Sequence, residues 1–367
     1  MWTFKSSREV ESQGVESRGV RSRGVRLLDF STLNFSTLLL LTAFCLLPSA
    51  RALAAGWLYK LQEVKPKVFV WVSEDVLDLD GDPQFERAGT AGFITTSEGV
   101  VVVDTTNSPF HARELLYEIR HQSELAVKYV IDTNSNGEQM LGNEVFAELE
   151  ATLISSAKTQ AEILRYRKLL VARMADEDGK LQSRMRGFHV TPPTQTFESE
   201  MTLRLGGQEI KLRTLLKNGL GDDSVVYLPA AKVLFLGELF QNGYYPRIES
   251  RNLRDWIDAL QQVEKWDADV YVPGHGGPGG KKELQQFRQF LEWFNKEVET
   301  RFQQGESLGE VKRELGPLLE NYRWHGPELF SEEVEAVYKQ AMRTPPKGAA
   351  PHSSAQAPPP GQPPAQP

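Results

Sequence analysis

The first residues that could do chemistry are three aspartates, Asp78, Asp80 and Asp82, at alternate positions around Gly81. Alternating carboxylates beside a glycine are what a calcium loop uses, because hard oxygen donors and a sharp turn suit that ion. Here Pro83 interrupts the loop and no glutamate stands at the closing position, so a solvated acidic loop is expected. His111 and His121 fall on a stretch with helical spacing that is expected on the surface. His189 lies in a Thr-Pro-Pro loop, and His325 follows Trp324 near the end of the folded region. Their spacing gathers no ligand set. No G-x-S-x-G, phosphate-loop or dinucleotide motif is present, which argues against those chemistries.

The elements that must position any site alternate strand and helix. Val68–Val72 and Ala91–Thr96 read as strands. Ser97 to Gly99 is a turn, and Val100–Val103 is a third strand that ends at Asp104. The near-continuous apolar runs imply burial on both faces. Pro109–His121 has helical spacing, with Leu115, Leu116 and Ile119 on one side. A strand at Val127–Asp132, a helix at Met140–Leu149 and a strand at Ala151–Ile154 continue the α/β layering. A surface helix spans Gln160–Ala175. Strands follow around Phe197, at Met201–Leu205 and at Glu209–Leu212. A hairpin joins Ser224–Leu228 to Lys232–Leu236. Then come a helix at Asn252–Lys265, a strand at Ala268–Val272 and a long amphipathic helix at Lys281–Arg301. Two short helices, Leu308–Leu319 and Glu332–Met342, finish the domain.

The chain has 367 residues, 40% hydrophobic and 25% charged, with a formal charge of −7. That is a folded-protein composition, and with no basic block in the body it excludes a phosphate-tracking nucleic-acid surface. Residues 1–54 read as a leader. Glu11 to Arg26 repeats a five-residue unit, and Leu38 to Leu47 is apolar apart from Thr42. That stretch is too short to span a bilayer. With arginines upstream and Ala52-Leu53-Ala54 downstream it has the parts of a secretory signal. The protein is therefore expected to be exported, periplasmic or secreted, with no stable membrane span after cleavage. The single cysteine, Cys45, leaves with the leader, so the mature chain has no disulfide. Phe44 before it does not suit a lipid-anchor signal. Residues 55–343 form the domain. Residues 344–367, rich in Pro, Ala and Gln, cannot bury a core.

Several segments then line up, in order, with one family. Gly99-Val-Val-Val-Val-Asp104-Thr, Val130-Ile131-Asp132-Thr133 and Gly142-Asn143-x-x-Phe146-Ala147 are the first three. Asp223 to Pro229 with Val233 to Glu238, and Val270-Tyr-Val-Pro-Gly274-His275-Gly276, complete the set. Together they resemble metallo-β-lactamase-fold hydrolases over about Val68 to Arg301. The resemblance implies an α/β, four-layer αββα sandwich with a site at one edge between the sheets. Family members usually hold one or two zinc or iron ions there, which polarise a carbonyl or phosphoryl group and generate hydroxide near neutral pH.

The site is where the chain departs from the family. Asn134 and Asn136 stand where two histidines would, Glu138 replaces an aspartate, and Gln139 replaces a third histidine. Gly219 or a neighbour falls where another histidine belongs. Glu238 replaces the bridging aspartate, and only His275 stands unchanged. Imidazole holds zinc well, whereas a carboxamide oxygen is a weak donor. The resemblance thus implies no dinuclear zinc. Glu138, Gln139, Glu238 and His275 could still hold one divalent ion, such as manganese, iron or calcium. The same residues could instead form a metal-free hydrogen-bonded network, with Glu138 and Glu238 as an acid/base couple.

Asn134, Asn136, Tyr244 and Tyr245 fall where substrate contacts are expected, and the two tyrosines could equally be packing. Trp71 and Phe85 flank the expected site mouth, and Trp71 could equally be core. Two functions stay open. One is an exported, non-catalytic protein that binds a small molecule or a protein partner. The other is a metal-dependent hydrolase acting on an ester, lactone, lactam or similar bond.

Overall fold

The computed structural model describes residues 59–73, 88–176, 189–216, 222–248, 251–319, 322, 324–327 and 330–343. The leader, the acidic loop, Phe85, Gly219 and the tail lie outside the described residues.

Strand parity builds the layers. β1 (Tyr59–Lys65), β2 (Val68–Ser73), β3 (Ala91–Thr95), β4 (Val100–Val103), β5 (Val127–Ile131), β6 (Thr152–Ser156) and β7 (Gln195–Phe197) form one sheet in that order. β8 (Glu200–Leu205), β9 (Gln208–Leu216), β10 (Asp223–Leu228), β11 (Val233–Gln241) and β12 (Val270–His275) form the other. Alternate side chains leave a strand on opposite faces. In β4, Val100 and Val102 therefore join Trp71, Phe93 and Leu115 beneath α1 (Pro109–Gln122). Val101 and Val103 join Ile94 and meet Val226, Phe235 and Val272 of the second sheet.

The outer face of the second sheet, through Leu234, Leu236 and Tyr271, packs on four helices. These include α5 (Leu253–Val263) and α6 (Lys281–Gln303), which contribute Trp256, Phe287 and Phe290. α7 (Leu308–Leu319) and α8 (Phe330–Arg343) add Val311, Leu315, Val334 and Val337. Helix, sheet, sheet and helix thus stack as four layers. Among the described residues no helix is long and apolar enough to cross a membrane.

Three differences from the sequence reading bear on the site. The expected helix at Met140–Leu149 is instead two short ones, α2 (Gly137–Met140) and α3 (Asn143–Ala147). The Thr105 amide takes the Gln139 carbonyl at 2.6 Å, which is the acceptor a continuous helix would give to residue 143. β11 runs on to Gln241 and β12 to His275. Their last residues include polar ones, Glu238, Gln241 and His275, that an apolar pattern does not count. β1 escapes the same pattern because, as a sheet edge, it is half polar. The fourth helix in chain order, Ala157–Asp176 (α4), starts directly after β6, with Ser156 Oγ accepting from the Thr159 amide at 3.0 Å.

Candidate functional site

Strands of both sheets end at one edge of the sandwich, and the polar residues gather there. β11 departs from regular pairing around Gly237, whose φ is +50°. A Cβ at Gly237 would lie 2.3 Å from Thr133 Oγ1, so only glycine lets β11 pass this close to the end of β5. The irregularity turns Glu238 inward, where it is 1% exposed. β12 delivers His275, and α2, directly after β5, delivers Glu138 and Gln139.

Four charged groups meet there. His275 Nε2 lies 2.9 Å from Glu138 Oε2 and 3.2 Å from Glu238 Oε1. Arg247, in the segment after β11, places a guanidinium nitrogen 2.9 Å from Glu138 Oε1. Glu238 also accepts from the Gln139 amide at 2.9 Å and the Gln241 amide at 3.0 Å. Burial alone would lower the His275 pKa, but Glu238 and Glu138 outweigh it and push the pKa up to about 10. His275 is therefore an imidazolium at neutral pH. Burial would raise the Glu238 carboxyl, but the His275 and Arg251 charges with the hydrogen bonds hold it well below the usual carboxylate range. Two anions and two cations close the cluster without net charge.

A second tier fixes the first. Asp104, with φ +58°, accepts from the Thr133 amide and hydroxyl at 2.9 Å. Burial raises the Asp104 pKa to about 7; the Thr133 hydrogen bonds offset part of the rise, and the nearby Glu238 charge adds to it. Arg251 forks onto Asp223 at 3.0 and 3.1 Å, with both side chains buried. Gly274 leaves room for Glu238, since a Cβ there would stand 2.6 Å from Glu238 Oε1 and 2.8 Å from the Gly237 carbonyl. Gly274→Ala is expected to cost about 1–3 kcal/mol of stability, read by urea unfolding. A loss under about 0.5 kcal/mol, the scatter of ordinary surface changes, would show that the Glu238 position is not tightly held.

Of the residues singled out in the sequence, Glu138, Glu238 and His275 come together, and their ligand atoms lie within 4.8 Å of one another. Gln139 joins them, but its nitrogen faces Glu238 and the Gly274 carbonyl, the latter at 3.0 Å. Because a carbonyl can only accept, the amide oxygen points away, and Gln139 is not a ligand in this arrangement. Asn134 is buried, with its amide on Thr133 Oγ1 and its oxygen taken by the Asn136 amide at 2.8 Å. The donors that two zinc ions need are therefore missing from positions 134, 136 and 139, and a dinuclear zinc centre does not fit.

Tyr244 lies at the site, its ring centroid 5.7 Å from that of His275 and 4.8 Å from that of His325. Tyr245 turns the other way, buried against Phe290 and Trp324. Trp71 is fully buried core. His111 is half-buried rather than fully exposed on its helix. It packs on Trp71, meets Asn107 Oδ1 at 2.6 Å, and burial lowers its pKa to about 4. Arg247, Gln241, Arg251 and Asp104 were missed as parts of the site.

The architecture and the position of the cluster define the class: a four-layer sandwich with its polar site where strands of both sheets end. Residues 85–275 match the model of the Metallo-beta-lactamase superfamily. That is more than half of the chain, and the chain belongs to this superfamily.

Among similar proteins, a linear primary-alkylsulfatase from a Pseudomonas species is 26% identical over 222 residues, covering 52% of this chain and 42% of the relative. A metallo-beta-lactamase type 2 from Elizabethkingia meningoseptica is 22% identical over 226 residues, covering 59% of this chain and 78% of the relative. The structure of the inverting sec-alkylsulfatase Pisa1 from Pseudomonas superposes with a TM-score of 0.56 at 20% identity, over 77% of this chain and 50% of that one. The chain thus spans less than half the length of the curated alkylsulfatase it matches.

Proposed function

We propose that this protein is an exported, metal-free and non-catalytic member of its superfamily that binds a small molecule at the edge where Tyr244 and the cluster lie. One observation carries the reading. The two buried carboxylates that would draw a cation, Glu138 and Glu238, are already matched by His275 and Arg247. A divalent ion would have to displace Arg247 and deprotonate His275, and buried charges resist losing a partner. Export rests on the leader features of residues 1–54.

Elemental analysis of protein purified without chelator or histidine tag tests this. Well under one equivalent of metal per chain is expected, even after incubation with zinc, manganese and iron. Arg247→Ala frees Glu138 and is expected to raise uptake. About one tightly held ion in the unaltered protein, lost in His275→Ala, would sink the metal-free reading.

The convergence of Glu138, Glu238 and His275 favours one alternative. These three groups would hold a single oxygen-liking ion, which would supply Lewis acidity for an ester, lactone, lactam or similar bond. The names of the relatives make alkyl sulfate esters and β-lactams the first substrates to screen. Under this alternative Glu238→Gln abolishes both uptake and turnover.

A further inference from the structure

At the opposite end of the sandwich the two sheets part around a cleft of about 300 Å³, lined by Lys65, Lys67, Val68, Ile94, Ala231 and Lys232, with Pro66, Gln208, Ala230 and Asp269. That is the lower end of the range for small-molecule sites. Two hairpins converge on it, β1 to β2 from the first sheet and β10 to β11 from the second. Each puts a lysine into the left-handed region, Lys67 at φ 67° and Lys232 at φ 55°. A long side chain is disfavoured there, where glycine would fit without strain.

Neighbouring strands pin both turns. The Lys67 carbonyl accepts from the Thr95 amide at 3.0 Å, and the Lys232 carbonyl accepts from the Asp269 amide at 2.8 Å. The cleft is thus preformed, and its floor, Val68 and Ile94, is buried and apolar.

The charges around it are unevenly matched. Lys65 is tied to Asp269 at 2.9 Å and Lys232 to Asp267 at 2.9 Å. Glu63 spends one oxygen on the Lys67 backbone amide at 2.9 Å. Among the described residues no ion pair holds the Lys67 ammonium, and although the Glu63 carboxylate is fixed at its backbone amide, the lining of the cleft itself carries three lysines against one aspartate, Asp269. We propose that this cleft is a second binding site, for a small monocarboxylate with a short apolar body. The carboxylate meets Lys67, and the body covers Val68, Ile94 and Ala231. The inference is independent of what the Glu138 cluster does.

The probe is hexanoate, with hexanol as its uncharged counterpart, added to full-length protein carrying isotope-labelled alanine. Hexanoate is expected to shift the Ala230 and Ala231 amide resonances saturably, with half-saturation on the order of 1 mM. Lys67→Gly removes the charge and suits the backbone. It should weaken the response about threefold to tenfold, and Lys67→Arg should restore it. Three results would each overturn the site: no saturable shift up to about 10 mM, an equal response to hexanol, or an undiminished response in Lys67→Gly.

Discussion

Replacing His275 with alanine is expected to destabilise the protein by about 3–5 kcal/mol. The imidazolium stands between Glu138 and Glu238, and the three side chains are nearly inaccessible to water. Removing it leaves two buried carboxylates facing each other, with only Arg247 and the two glutamine amides to hold them. Breaking a buried ion pair by deleting one partner costs far more than the pair contributes over an apolar substitute, because the remaining charge stays desolvated. Urea unfolding at neutral pH gives the number. The double variant His275→Ala with Glu138→Gln should recover part of the loss, since it removes one stranded charge. A cost under about 1 kcal/mol, the level of an exposed pair, would mean that the cluster is solvated and the charge-closure argument fails.

Stability should also fall as pH rises from about 6.5 to about 10, by on the order of 3–5 kcal/mol. The sign follows from the direction of the shift. His275 takes its proton more tightly in the folded state than its ordinary 6.5, so its contribution is complete below that value and is lost as pH passes through about 10. Glu238 is shifted the opposite way. Its contribution is present above the ordinary carboxylate value of 4.5 and is lost as pH falls. Asp104, raised to about 7 by burial, adds a decline between about 4 and 7. Chemical unfolding across this range in the unaltered protein and in His275→Gln checks the assignment. The alkaline decline should flatten in the variant. An equal decline in both would place the responsible proton elsewhere.

The layers were legible in the sequence because valine runs and helical spacing record burial directly. The positions of Glu138, Glu238 and His275 were legible through the resemblance to the metallo-β-lactamase fold, whose ligand positions they occupy, and the neighbouring apolar strands fixed that alignment. Arg247 was not, because it reaches Glu138 from an irregular segment after β11, and no periodicity links such a segment to a helix more than a hundred residues earlier. Gln241 was hidden in the same way at the polar end of an otherwise apolar strand. His111 did leave a signal: it lies four residues before the buried Leu115, and one helical turn puts the two on one side. Tyr244 and Tyr245 could not be separated without knowing that the backbone bridges to His325, which sends one ring to the site and the other into the aromatic core.

The charge pairs that cross between the sheets differ in their exposure to the medium. At the site edge the pair of Glu138 with His275 is shut away, but at the opposite edge Lys65 and Asp269 join the sheets with side chains 31% and 53% exposed. Dissolved ions reach the second pair and not the first, since screening acts within about 8 Å at physiological ionic strength only where solvent penetrates. Concentrated salt should therefore loosen the sandwich from one side, like a book whose spine is the buried cluster. Amide exchange in the β1–β2 hairpin would quicken before that in β11 and β12.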